Sequence, residues 1–121
     1  MLSACHGGDR QTRRVEFSDL RSADRVDVRA PADRRVAVLT DRDKIQVAAE
    51  FIEQHQDGWG EVLTGPRAPE LMFDFYSGDR HLAGFGISTS YLTTGVLSKN
   101  VPPESIAAVA RRLGLEWPRR S

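Results

Sequence analysis

The chain has 121 residues, of which 40% are hydrophobic and 28% are charged, and these proportions are those of one ordinary globular domain. Seventeen lysines and arginines balance seventeen aspartates and glutamates, so the net charge gives no indication of nucleic acid or of an anionic membrane surface as a partner. No apolar run in the sequence approaches the roughly 20 residues that a transmembrane helix needs.

The N-terminus holds the only cysteine of the chain, within the motif Leu2-Ser3-Ala4-Cys5. This motif resembles the lipobox of bacterial lipoproteins, in which an apolar residue and two small residues precede a cysteine that is lipidated when the signal peptide is removed. The resemblance implies a lipid anchor through Cys5 at the periplasmic side of a bacterial cell envelope. The basic and apolar segments of a signal peptide do not precede this motif, so the resemblance also implies a truncated signal peptide.

The composition along the chain predicts one domain between two short terminal segments. Small and polar residues follow Cys5, which is typical of a tether between a membrane and a folded domain. We therefore predict a flexible tether at residues 1–13, a single α+β domain at residues 14–118 and a tail at residues 119–121. His6, rather than an aspartate, follows the cysteine, and the lipoprotein resemblance then implies sorting to the outer membrane.

Alternation of apolar and polar residues predicts the first strands of the domain. Residues 14–20 are predicted as an extended lead-in. Residues 25–29 form a strand that turns Val26 and Val28 inward, and residues 35–40 return as its hairpin partner.

The apolar period then becomes helical and predicts the first helix. Thr40 is placed to cap its N-terminus, with Asp43 in the first turn, and Gly58 is placed as a left-handed residue after its end. Trp59 follows and is predicted to close the edge of the core, with an exposed position as the alternative. The apolar stripe of this helix consists of Ile45, Ala48, Ala49, Phe51 and Ile52.

The most regular apolar alternation runs from Leu71 to Ile87 and predicts two antiparallel strands that form the wall of the core. A two-residue loop would turn Phe73 and Phe85 to different faces, whereas a loop with an odd number of residues sets them opposite each other. We therefore predict a three-residue loop at residues 78–80, in the turn-plus-bulge form that glycine permits.

The C-terminal part predicts one more strand and a second helix. Residues 91–97 are rich in threonine and partly polar, which suits an edge strand. Pro102 and Pro103 open the helix, and Gly114 ends it. The apolar face of this helix consists of Ile106, Val109, Ala110 and Leu113.

These elements predict an α+β fold, in which an antiparallel sheet of about five to six strands carries two helices packed on one face. From Arg35 onward, the order strand, helix, four strands, helix is similar to that of the TATA-binding-protein-like folds. The resemblance implies a curved sheet with both helices on the same side. It implies no activity, because such folds serve unrelated functions.

The face of the sheet that the helices leave open holds the candidate binding site. On this face an acid and a phenol lie beside a shallow strip of glycines, a surface on which a peptide or another protein could dock. An ordinary solvated face is the alternative. The candidate residues are Asp74, Tyr76, Leu82, Gly84, Gly86 and Ser88.

No motif of the sequence predicts catalysis, a metal site or a cofactor. The histidines are isolated from one another, and the serines stand outside a nucleophile elbow. Asp79, Arg80 and His81 meet at one turn, where they form either a small acid–base site or a solvated hairpin tip. Arginine pairs such as Arg34-Arg35 are interpreted as solvated surface, since aromatic residues do not alternate with them.

The sequence therefore predicts a non-enzymatic, lipid-anchored domain of the bacterial cell envelope that binds a protein or peptide partner, without nucleic acid and without a cofactor. One alternative is a soluble cytoplasmic binding module with the same fold and no anchor. The other is a small enzyme with an acid–base site near Asp74 and His81. Acyl groups on Cys5 would distinguish the first hypothesis from the cytoplasmic module. A concave pocket that gathers His81 or Asp74 with a second titratable group would indicate the enzyme.

Overall fold

The structure, a computed structural model, describes residues 12–17, 19–61 and 68–115. These residues form one antiparallel sheet of seven strands with two helices, which confirms the predicted α+β class with more strands than the five to six expected. The elements in chain order are β1 (Arg25–Ala30), β2 (Arg34–Leu39), α1 (Arg42–Glu53), β3 (Gly60–Glu61), β4 (Leu71–Ser77), β5 (Arg80–Ile87), β6 (Tyr91–Thr94), β7 (Leu97–Asn100) and α2 (Pro103–Arg112). Across the sheet the strands follow the order β2-β1-β4-β5-β6-β7-β3.

The hairpin of β4 and β5 has the predicted register, with Phe73 opposite Phe85. The predicted three-residue loop is wrong, because residues 78–79 form a two-residue turn between paired strand ends. The additional residue that keeps the register is Leu82, which bulges from β5 between two paired residues. A bulge in one strand shifts the pairing by one residue, so it has the same effect on the register as an odd loop.

The apolar face of the sheet and both helices share one buried core. Phe73 and Phe85 stack with ring centroids 5.0 Å apart, and the predicted apolar stripes of α1 and α2 are all buried in the same core. Both helices therefore lie on one face of the sheet, as predicted. Trp59 is fully buried and its Nε1 donates to the carbonyl oxygen of His55 at 2.6 Å, so the indole closes the edge of this core.

The ends of the helices follow local rules, with one correction. Asp41, not Thr40, caps α1, because the Asp41 carboxylate accepts a backbone N–H of the first turn at 2.8 Å. Gly114 ends α2 as predicted, with a φ of 75°. The N–H of Leu115 then donates to the carbonyl oxygen of Ala110 at 3.0 Å, a Schellman pairing that returns the leucine to the core.

The predicted last strand at residues 91–97 is in fact the start of a hairpin. Gly95, with a φ of 58°, and Val96 turn the chain between β6 and β7. The expected edge position is also wrong, because the short β3 pairs with the outer side of β7. The turn lacks the Asn-Gly or Asp-Gly pair that marks a hairpin in a sequence, and alternation alone therefore does not find it.

The predicted terminal segments reach beyond the part of the chain that the structure describes. Cys5 and the tail at residues 119–121 lie outside the described residues. Arg13, predicted as the last residue of the tether, already pairs with the domain, since its N–H donates to the carbonyl oxygen of Trp59 at 2.7 Å. Neither helix within the described ranges has the length and apolar character needed to cross a membrane.

Candidate functional site

Asp74 lies at the centre of the open face that the sequence predicted as a docking surface. β4 places it opposite Asp27 of β1 and Gly84 of β5, and it is 7% exposed. Its carboxylate accepts a hydrogen bond from Nη2 of Arg29 on β1 and lies 3.0 Å from Nε2 of His81 on β5. One guanidinium and one imidazole from the two neighbouring strands therefore hold this buried acid.

Aromatic contacts extend this row of polar residues across the sheet. The Tyr76 ring meets the His81 ring edge-on with centroids 5.2 Å apart, and the Arg25 guanidinium lies 4.3 Å from the centroid of the Tyr76 ring. Nε of Arg25 also donates to Asp27 at 3.1 Å. The polar ladder, as we name this group, links β1, β4 and β5 and consists of Arg25, Asp27, Arg29, Asp74, Tyr76 and His81.

Contacts within and beside the polar ladder neutralise both of its arginines. Arg25 contacts the carboxylate of Asp27, and Arg29 contacts Asp74 and the exposed Asp33. The hydrogen bond that Arg29 donates to Asp74, together with the negative charge of Asp74, raises the pKa of the Arg29 guanidinium above its ordinary value. This geometry indicates that the ladder stabilises the sheet, because its arginines and aspartates already form ion pairs with one another.

The chain itself covers the glycine strip beside the polar ladder. A Cβ on Gly84 would lie 2.6 Å from Oδ1 of Asp74. A Cβ on Gly86 would lie 2.5 Å from Cβ of Pro69 and 2.7 Å from Oγ1 of Thr93. Both glycines thus make room for neighbouring side chains, and the shallow open strip expected from the sequence is occupied at these two positions.

Two other predicted residues have roles that the sequence did not suggest. Leu82 sits in the bulge and packs, half-buried, against the core. Ser88 is buried beyond the end of β5, where its Oγ donates to Oε2 of Glu70 at 3.0 Å. The extra residue of the bulge turns the residues between it and the hairpin turn to the opposite face of the sheet. His81, and not Leu82, therefore lies beside Asp74.

We expect Gly86→Ala to lower the free energy of unfolding by about 1–2 kcal/mol, because the added methyl group would clash with Pro69 and Thr93. Gly60→Ala is the matched control, since Gly60 also lies in a strand and no atom lies within 4 Å of a Cβ built there. Its effect should stay below about 0.5 kcal/mol. Urea denaturation followed by tryptophan fluorescence measures both, and equal effects would contradict the covered strip.

A cleft of about 600 Å³ lies at the end of the sheet beside the last residues of α2. The adjoining ends of β1 and β2, the start of β4 and the turn after α2 line this corner cleft. Its volume lies within the range of small-molecule sites, about 300–1,000 Å³. The residues on which its chemistry depends are Arg34, Arg35, Ala37, Glu70, Leu71 and Leu115.

Two arginines on β2 determine the charge of the corner cleft. Arg34 and Arg35 are exposed, and within the described part of the chain neither contacts an acid, whereas Arg29 on the neighbouring strand contacts two. Lys44 is also close, since its Nζ lies 3.3 Å from the position of a Cβ on Gly114. That position faces the negative end of the α2 dipole, which the ammonium group offsets.

An acid and an apolar wall complete the corner cleft. Glu70 is the acid among the described lining residues, and its Oε2 accepts the hydrogen bond from Ser88 Oγ at 3.0 Å. Leu71 and Leu115 are buried, and Ala37 is half-buried on the same helix-covered face. Two guanidinium groups that contact no acid of the described residues therefore stand at one end of an apolar surface.

Local patterns in the sequence do not reveal the corner cleft, because its residues come from three distant parts of the chain. The one signal in the sequence is the pair Arg34-Arg35, interpreted there as solvated surface. The pair is exposed, as expected, but it also lines the cleft. Position in the fold, not the type of residue, makes it a candidate for binding.

Comparison with protein-family models, curated proteins and solved structures finds no match to this chain. The resemblances to lipoproteins and to the TATA-binding-protein-like folds therefore stay predictions. Among the side chains in residues 12–17, 19–61 and 68–115, no group of three histidines, cysteines, aspartates or glutamates is arranged to hold a metal ion.

Proposed function

We propose that this chain is a non-enzymatic, lipid-anchored domain of a bacterial cell envelope that acts by binding, with the corner cleft as its binding site. The observation that carries this proposal is a contrast between arginines. Carboxylates neutralise Arg25 and Arg29 of the polar ladder, whereas Arg34 and Arg35 contact no acid among residues 12–17, 19–61 and 68–115. Cations without partners beside an apolar wall favour a ligand that supplies both an anion and an apolar group.

The corner cleft replaces the open face of the sheet as the proposed site. A partner on the open face would have to displace the contacts that Asp74 makes with Arg29 and His81, and it would meet Pro69 above Gly86. Displacing such contacts leaves a buried carboxylate without its partners, which is costly. A ligand in the corner cleft would displace no ion pair that Arg34 or Arg35 forms with a described residue.

The alternative of a small enzyme has one specific observation in its favour. The buried Asp74 lies 3.0 Å from Nε2 of the half-exposed His81, a pair that suits acid–base chemistry. A shallow cleft of about 260 Å³ adjoins His81. The carboxylate of Asp74 also accepts a hydrogen bond from Arg29, so both of its contacts belong to the polar ladder, and binding is the function that we prefer.

The lipid anchor of this proposal is supported by the motif Leu2-Ser3-Ala4-Cys5, which lies outside the described residues. Two fatty chains on one cysteine make membrane attachment stable, whereas a single chain is marginal. A tether of small and polar residues after Cys5 would place the corner cleft at the envelope without burying it in the bilayer.

Intact-mass measurement of the protein isolated from the membranes of its own cells tests the anchor. We expect a mature chain that begins at Cys5 and carries a diacylglyceryl group. The Cys5→Ser variant should move to the soluble fraction, whereas the neighbouring His6→Ala variant, the matched control, should stay with the membranes. A native chain that retains residues 1–4 and a free thiol would contradict the anchor and favour the cytoplasmic alternative.

A further inference from the structure

We infer that the corner cleft binds an amphipathic anion, a molecule with one anionic head group on a hydrocarbon chain of about eight carbons. This inference rests on the proposal that the corner cleft is the binding site, and it does not depend on the lipid anchor. Two features carry it: the arginines at one end and the apolar wall.

The head group belongs at β2, where the arginines are. Arg34 and Arg35 are consecutive residues at the end of this edge strand, where they pair with Ala30 and Arg29, and both line the cleft. A guanidinium group has a planar set of donors that matches a carboxylate or a phosphate. Since neither arginine contacts an acid in the described part of the chain, an incoming anion does not compete with an internal ion pair.

The hydrocarbon chain would run from β2 across β1 to β4. Ala37, Leu71 and Leu115 provide the apolar wall along this path. β2 and β4 lie two strand spacings apart, about 10 Å. An extended chain of eight carbons spans about 9 Å, because each of its seven bonds of about 1.5 Å advances the zigzag by about 1.25 Å.

The two arginines determine the direction in which the ligand lies. Arg34 and Arg35 stand at the β2 end of the cleft, whereas Leu71 and Leu115 line it beside β4 and the end of α2. A guanidinium group stabilises an anionic head group, and the leucines offer contact to a hydrocarbon end. We therefore expect one anionic group per ligand, at the β2 end.

Calorimetric titration of the 121-residue chain with octanoate, octanol and octylammonium tests this inference. Octanoate should bind at least about tenfold more tightly than either of the others, and Arg34→Ala and Arg35→Ala should each weaken octanoate binding about tenfold. Arg80→Ala is the matched control, because Arg80 is an exposed arginine of β5 that does not line the cleft, and its effect should stay within about twofold. These arginines are exposed, and circular dichroism verifies that each variant remains folded.

The length of the ligand tests the apolar wall without any change to the protein. From hexanoate to heptanoate to octanoate, the affinity should rise about fourfold for each methylene group. An affinity that does not change with chain length would overturn the predicted path across β1.

The three head groups separate failure of the inference from failure of the proposed site. Equal binding of octanol and octanoate, or octanoate binding that both arginine variants retain, would overturn the anionic head group while the cleft remains a binding site. Failure of all three molecules to bind would overturn the inference and the cleft as the site together. The Cys5 measurement would stand in either case, because the anchor does not depend on the cleft.

Discussion

Phe85→Ala is expected to lower the free energy of unfolding by about 3–5 kcal/mol, a large part of the about 5–15 kcal/mol that stabilises a typical domain. Phe85 is buried and stacks on Phe73 at 5.0 Å. Its ring centroid also lies 6.1 Å from that of Phe75 and 6.5 Å from that of Phe17. Alanine would leave a cavity among three rings that β4 and the segment before β1 hold in place. Chemical denaturation followed by fluorescence measures the loss.

Val96→Ala is the surface control for this substitution. Val96 is 56% exposed in the turn between β6 and β7, so its truncation should change stability by less than about 0.5 kcal/mol. Phe85→Leu retains much of the buried volume and should cost less than Phe85→Ala. If Phe85→Ala is as mild as Val96→Ala, the helix-covered face is not the core of the domain.

The second large effect is expected at the polar ladder, where Asp74→Ala should cost about 2–3 kcal/mol. The substitution removes the buried acceptor of Arg29 and the partner of His81. Nε of Arg29 is already buried without a hydrogen-bond partner, so the guanidinium group depends on the contacts of its other two nitrogens. The expected loss is below that of a fully buried ion pair, because the Arg29 side chain is 36% exposed. Urea titration at neutral pH measures it.

Asp33→Asn isolates the effect of burial at the same arginine. Asp33 also contacts Arg29, at 2.7 Å, but its side chain is 79% exposed. Water replaces an exposed carboxylate at little cost, and asparagine tolerates the left-handed backbone of this residue, with a φ of 60°, so this substitution should change stability by less than about 0.5 kcal/mol. Equal losses from Asp33→Asn and Asp74→Ala would mean that solvent reaches the polar ladder, contrary to the structure.

The apolar half of the fold follows from short-range patterns. Period-two alternation in β4 and β5 and the helical period of α1 and α2 identify the residues that turn inward, because side-chain direction is a local property of the backbone. The register of Phe73 opposite Phe85 follows as well, since a slip of one residue would turn one of the two rings out of the core.

The irregular parts of the sheet do not follow from those patterns. An odd loop and a two-residue turn with a bulge produce the same register, so the alternation cannot distinguish them. The chain adopts the turn with the bulge, and there Leu82 packs against the core. β7 has no apolar alternation of its own. Its strand conformation depends on pairing with β6 on one side and with β3 on the other.

The candidate sites were only partly visible in the sequence. The sequence predicts Asp74 as a candidate residue of the open face, but its partner Arg29 lies 45 positions earlier. They meet because β1 pairs with β4 and not with the strand that follows α1 in the chain. In the same way, Arg34-Arg35 lines a cleft only because α2 ends beside the first hairpin.

Residue pattern alone is sufficient here for the fold class, the inward-facing rows and the helix-covered side of the sheet, because each depends on burying apolar groups at a regular local spacing. The polar ladder and the corner cleft required the folded chain. Their residues come together through the order of the strands and the position of the end of α2, and no periodicity within a single segment encodes a contact between segments so far apart.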